Sequence, residues 1–136
     1  DGRDVEVVVD QAASKLVRLD KPVCVIFNNV WHYVPEDPAG FVRGYVDRLA
    51  PGSAMILEHA CSDGLPQDLR DDLDEVFAHT LAGGFWPRST AEIGELLDGL
   101  EVLPPGLVSP EVWRAEAPAG HRPSQLPVLA AVAIKR

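Results

Sequence analysis

The stretch FNNVWHYVPED, residues 27–37, sets two asparagines, a tryptophan and a histidine directly behind the apolar run PVCVI. An apolar strand that ends this way brings hydrogen-bonding amides, and a ring that titrates near neutral pH, to one end of a sheet. A second such end follows in HACSDG, residues 59–64. With His32 and His59 closing adjacent strands and Asp63 near them, the residue types suit proton transfer or metal ligation. Their spacing specifies no metal, so no metal site is expected. Asn28 and Asn29 also suit a plainer role, holding backbone amides at a strand end. Trp31 and Tyr33 alternate with His32, so one face of the stretch can be core and the other ligand. His79 on an acidic helix and His121 in a loop are read as solvated. No G-x-S-x-G elbow, G-x-x-x-x-G-K-[ST] loop or H-E-x-x-H helix is present, so the specific motifs of hydrolases, nucleotide phosphatases and zincins are missing.

The elements that must position these groups alternate. Val5, Val8, Val9, Ala12 and Leu16 recur at helical spacing after Asp4, a suitable N-cap. Residues 22–27 are short and apolar throughout, the pattern of a strand covered on both faces. Asp37-Pro38 opens a helix with the inward stripe Phe41, Val42, Tyr45 and Leu49, ended by Pro51-Gly52. Residues 54–58 form a second strand. Leu69, Leu73, Val76, Phe77 and Leu81 mark an acidic-faced helix that closes at Gly83-Gly84. Ser89-Thr90-Ala91-Glu92 is a capping box for a helix running through Ile93, Leu96 and Leu97 to Gly99. Residues 100–103 form a strand, 107–113 are irregular or extended, 116–127 form a Pro/Gly-rich loop, and 128–134 form a last strand. This order predicts a single α/β domain with a parallel sheet and an antiparallel strand at or near one edge. Ligands of such sheets bind beyond the carboxyl ends of the strands, where residues 28–34 and 59–64 would meet.

Charge narrows the partners. Twelve Lys and Arg stand against 21 Asp and Glu in 136 residues, a net charge of −9 that repels a phosphate backbone or an anionic membrane. Neither nucleic acid nor membrane is expected as a partner, and homo-oligomerisation is left open. Cys24 and Cys61 form no C-x-x-C pair and read as reduced thiols, at least one of them buried, in a soluble cytoplasmic protein.

The runs LDKPVCVIFNNVWHYVPEDPAGFVRGYVDRLAPGSAMILEHACSDG and WPRSTAEIGELLDGLEVLPPGLVSPEVWR, with the closing AAVAIKR, resemble the second half of a bacterial S-adenosylmethionine-dependent methyltransferase family formerly described as a domain of unknown function. The likeness extends over nearly the whole chain from Leu19. It implies the carboxyl-terminal part of a class I, Rossmann-like methyltransferase sheet, strands four to seven, with the last strand antiparallel and inserted. It also implies S-adenosyl-L-methionine as cofactor and a small-molecule methyl acceptor. On that resemblance, Asn28, Asn29 and Val30 line the methionine end of the cofactor, and Asp1 and Gly2 in DGRD lie at the adenine. His32 is the catalytic candidate, a base on the acceptor side, with Trp31, His59 and Arg88 as substrate contacts. Two departures stand out: Glu58 replaces the family's serine before His59, and Asn28 and Asn29 occupy positions where relatives have small apolar residues. Arg88 and the pair Trp113-Arg114 match family positions and also suit capping and edge packing.

In such a family the Gly-rich cofactor loop and the ribose-binding acid precede the segment equivalent to Asp1. The 136 residues, opening on Asp1 instead of Met, therefore read as the carboxyl-terminal part of a longer enzyme that alone would be inactive. A non-catalytic binding or regulatory module built on the same sheet is the alternative, and half of a dehydrogenase is another.

Overall fold

The structure is a computed structural model describing residues 1–15, 17–113 and 125–136. Leu16 of the first helical stripe, Arg114, His121 and residues 116–124 of the loop lie outside the described residues. Four strands make one mixed sheet in the order β1-β2-β4-β3: β1 is Cys24–Asn28, β2 Ala54–Ala60, β3 Glu101–Val102 and β4 Val128–Ile134. β1 and β2 are parallel, with Cys24 opposite Ala54 and Asn28 opposite Glu58. β4 runs antiparallel between β2 and β3, pairing Ala54 with Ile134 and Ala60 with Val128. This is the strand order implied for strands four to seven of a class I sheet, with the final strand inserted.

Local chemistry accounts for the helix starts. In α1, Val5–Lys15, the Asp4 carbonyl accepts from Val8 N–H at 3.1 Å. For α2, Ala39–Asp47, Asp37 Oδ1 accepts from Ala39 N–H at 3.0 Å, so the aspartate caps from just ahead of Pro38. The predicted capping box is present at α4, Thr90–Glu95: Ser89 Oγ accepts from Glu92 N–H, and the Glu92 carboxylate accepts from Ser89 N–H at 2.8 Å. At the other end of α2, the Lys135 ammonium donates to the carbonyls of Val46, Asp47 and Leu49. A cation placed there answers the orphan carbonyls of the helix end and ties β4 to α2.

The core lies on one face of the sheet. Phe27, Met55, Leu57, Ala131 and Ala133 point toward Val9, Trp31, Val42, Tyr45, Ile93, Leu96 and Leu97. The other face carries Ile26, Ile56 and Val132 in register across β1, β2 and β4. Residues 22–27 were expected to be covered on both faces, yet Ile26 is 60% exposed and Cys24 is exposed. The reason is position: β1 is an edge strand in the described sheet, and the buried residues contributed by α1, α2 and α4 all belong to the cluster on the Phe27 side.

Other boundaries shift for similar reasons. β2 runs two residues beyond 58 because β4 pairs with it through Ala60, which puts His59 inside the strand. α3, Gln67–Ala78, stops before Leu81, and Val76 and Leu81 are exposed instead of inward. Nothing in α3 is fully buried; its Phe77 ring stacks on Phe85 at 4.9 Å and tilts against Tyr33 at 5.5 Å. Within residues 107–113 a short 3₁₀ turn, Pro110–Val112, follows a bridge between Val108 and Ala130. Among the described residues no helix is long and apolar enough to cross a membrane.

The two faces predict unequal costs. Leu57→Ala, at a fully buried position, should lower the unfolding free energy by about 2–5 kcal/mol. Ile26→Thr should change it by less than about 0.5 kcal/mol. Urea unfolding of both variants checks this; equal losses would mean that the Ile26 face is covered in solution.

Candidate cofactor and acceptor site

At the carboxyl end of β1 the chain turns sharply. Asn29 sits in the left-handed region at φ 54, a conformation asparagine tolerates better than most residues. Its N–H still extends the ladder, donating to Glu58 O at 3.1 Å, and its Nδ2 donates to Asn28 Oδ1 at 3.0 Å. The paired carboxamides therefore share a local role in the turn and a place at the sheet's open edge. Val30, next in line, is 39% exposed.

Beyond Val30 the side chains go inward. Trp31 is 1% exposed, stacked parallel to Phe41 at 6.0 Å and packed against Phe27 and Tyr45. Its indole N–H is buried without a partner among the described residues. Expected as a substrate contact, Trp31 is instead a core residue, because the turn rotates it beneath the sheet's packed face. His32 is 3% exposed, and Ala60 N–H donates to its Nδ1 at 3.4 Å. That bond occupies the lone pair of Nδ1 and leaves the proton on Nε2. A base at this position would need a lone pair facing an acceptor, and in this geometry the ring offers a donor.

His59 is fully buried in β2. Its Nδ1 lies 2.7 Å from Ala60 O, a carbonyl that can only accept, so Nδ1 carries the proton and Nε2 presents a lone pair to Arg88 Nη1 at 3.2 Å. The His32 and His59 rings stand perpendicular, 5.5 Å apart. Burial is the main reason both are held down to about 4; for His32 the neighbouring His59 and Arg88 charges add to it, and for His59 the bond to Ala60 O works against it. Both rings are neutral at pH 7. Asp63, grouped with them in sequence, instead accepts from Thr90 N–H at 2.9 Å.

Arg88 was also expected to contact substrate. Its Nη1 donates to the carbonyls of Trp31 at 2.9 Å and Trp86 at 3.3 Å, and its Nη2 to those of Val34 at 2.9 Å and Glu36 at 2.8 Å. Three of those four carbonyls lie in the turn that follows β1. The structure does bring Asp1 and Gly2 to the same end of the sheet. Tyr45 Oη donates to Gly2 O at 2.7 Å, and Arg3 bridges Asp1 at 2.6 Å and Glu36 at 3.6 Å. Tyr33, noted from sequence only as alternating with His32, was assigned no site role there. It is 37% exposed, with its ring 4.3 Å from His32 and near Phe77 and Phe85, residues whose meeting no local spacing reveals.

The histidine pair predicts an acid-sensitive fold. An unfolded histidine takes up a proton near pH 6.5 and the folded ones only near 4, so stability is full above 6.5 and is lost as pH falls toward 4. The loss should be on the order of 3 kcal/mol per histidine. Urea midpoints between pH 7.5 and 4.5 measure it, and a flat profile down to pH 5 would contradict it.

The family model of S-adenosyl methyltransferases matches residues 1–136. No curated protein matches the sequence. A solved structure from Thermobifida fusca YX, described as "a putative methyltransferase", is 26% identical and superposes with a TM-score of 0.85 over 100% of this chain and 52% of its own. A protein of the DUF574 family from Streptomyces avermitilis MA-4680, also 26% identical, has a TM-score of 0.87 over 100% of this chain and 53% of its own. The chain thus spans about half the length of both solved relatives. Matched along its whole length by the family model, the chain belongs to the S-adenosyl methyltransferase family.

Proposed function

We propose that the chain contributes one side of the site of an S-adenosylmethionine-dependent methyltransferase that acts on a small-molecule acceptor by in-line displacement. The observation that carries this reading is the end of β1, where Asn28 and Asn29 stand at the open edge of the sheet beside the exposed Val30. The donor set fits the cofactor. Carboxamides can both accept from an ammonium and donate to a carboxylate, as the methionine end requires, and Val30 offers apolar contact. Asp1, at the same end of the sheet, has an exposed carboxylate for the adenine amino group, with Gly2 beside it.

When bound, the cofactor supplies a methyl group on a cationic sulfur. The residues named here would hold it and fix the direction of approach. Positioning of reactants at about 3 Å can account for roughly 7 kcal/mol or more of rate acceleration. Tyr33 presents an exposed ring on the acceptor side, backed 4.3 Å away by the buried His32 ring, which Ala60 N–H holds through Nδ1. Because the solved relatives are about twice as long, the remaining contacts are assigned to the part of the fold that they carry beyond this segment.

Calorimetric titration of the intact protein with S-adenosylmethionine tests the reading. Asn28→Ala should weaken binding about 10-fold, which is about 1.4 kcal/mol. Asn29→Gly, which keeps the left-handed turn at little steric cost, should weaken it less than Asn29→Val. Absence of heat at high micromolar cofactor would remove the enzyme reading in favour of a non-catalytic module on the same sheet.

A further inference from the structure

Between the ends of β1 and β2 lies a polar cluster that the proposed site does not use directly. Its centre is the Arg88 guanidinium, which reaches the carbonyls of Trp31, Val34 and Glu36, all in the turn that follows Asn29. We infer that Arg88 and His59 form a positioning pair that sets residues 29–36, and through them the carboxamides of Asn28 and Asn29 and the Tyr33 ring. The inference rests on the methyltransferase reading for what those groups face, and on the geometry alone for what holds them.

Both members of the pair are themselves fixed. The backbone of Arg88 is bridged to the end of β2: its N–H donates to Ala60 O at 3.2 Å and its carbonyl accepts from Ser62 N–H at 2.8 Å. Two residues earlier, Trp86 N–H donates to His32 O at 2.8 Å. His59, buried in β2 between β1 and β4, is locked by its bond to Ala60 O and turns its Nε2 lone pair to Arg88 Nη1. The arginine is thereby aimed from a rigid strand into a turn that otherwise has few internal bonds, Tyr33 N–H to Val30 O at 3.3 Å and Val34 N–H to Trp31 O at 3.2 Å. A planar guanidinium can serve carbonyls in several directions at once, whereas a lysine ammonium on a flexible stem cannot reproduce that fork. Helix capping does not explain Arg88, since Ser89 and Glu92 cap α4 between them.

Substitutions at both positions separate positioning from packing. Gln can place an acceptor oxygen where His59 has Nε2, and Leu cannot. In the intact protein, Arg88→Lys and His59→Leu should raise hydrogen exchange of the amides of residues 29–34 and 36 about ten-fold, with β2 and β4 still protected, and His59→Gln should stay near the parent. S-adenosylmethionine affinity should fall at least about 5-fold in Arg88→Lys and His59→Leu and change less than about 2-fold in His59→Gln. Unchanged exchange in Arg88→Lys overturns the inference, as does equal damage from His59→Gln and His59→Leu. Should Arg88→Lys lose protection throughout the sheet, the two His59 variants decide. A parent protein that binds no S-adenosylmethionine overturns the methyltransferase reading instead, while the exchange pattern still decides the positioning role.

Discussion

A guanidinium drawn in from water must find acceptors, and in this protein the acceptors of Arg88 are three backbone carbonyls of one short turn and that of Trp86, together with a histidine. Burial pushes the Arg88 pKa down, with Glu92 and Asp37 acting the other way, so the charge is retained at the cost of desolvation that only good hydrogen bonds offset. That requirement shapes the neighbourhood. Trp31, Val34 and Glu36 turn their carbonyls to the guanidinium, the Trp31 and His32 side chains are buried, and the groups left facing out at the end of β1 are Asn28, Val30 and Tyr33.

The same arrangement separates structure from chemistry. The two histidines look catalytic by type, yet each has a lone pair committed within the protein: Nδ1 of His32 to Ala60 N–H, Nε2 of His59 to Arg88. Neutral rings of this kind specify a packing geometry at the expense of acid tolerance. The sheet is similarly divided. Its Leu57 face is filled by helices and closed by Lys135 on the end of α2, while Ile26 and Cys24 stay exposed on the edge strand β1. Two solved relatives match this chain along its whole length and are about twice as long.

Much of the architecture was legible in the chain because it depends on neighbouring residues. Ser89 and Glu92 are three apart and cap each other; residues 128–134 are apolar and follow a Pro/Gly-rich run; Asp37 precedes Pro38 at a helix start. The insertion of β4 was reached through resemblance, not periodicity, since hydrophobic pattern does not state which strand lies beside which. Inward orientation was legible for Val42 and Tyr45, where helical spacing repeats, and illegible for Val76 and Leu81, where the stripe outlasts the helix.

Sequence by itself determined the α/β order, the capped helix starts, the acidic balance and the presence of polar groups at the end of β1, because each follows from residue type and spacing along the chain. Tertiary structure alone decided which of those polar groups face outward. Asn28 and Val30 stay at the surface, while Trp31, His32 and His59 are buried and Arg88 turns its Nη groups inward. That outcome was set by partners 28 to 57 residues away, Ala60 for His32, His59 for Arg88 and the carbonyls of Trp31, Val34 and Glu36 for its guanidinium. Satisfying a partly buried charge and two buried rings is a three-dimensional condition, and no local spacing encodes it.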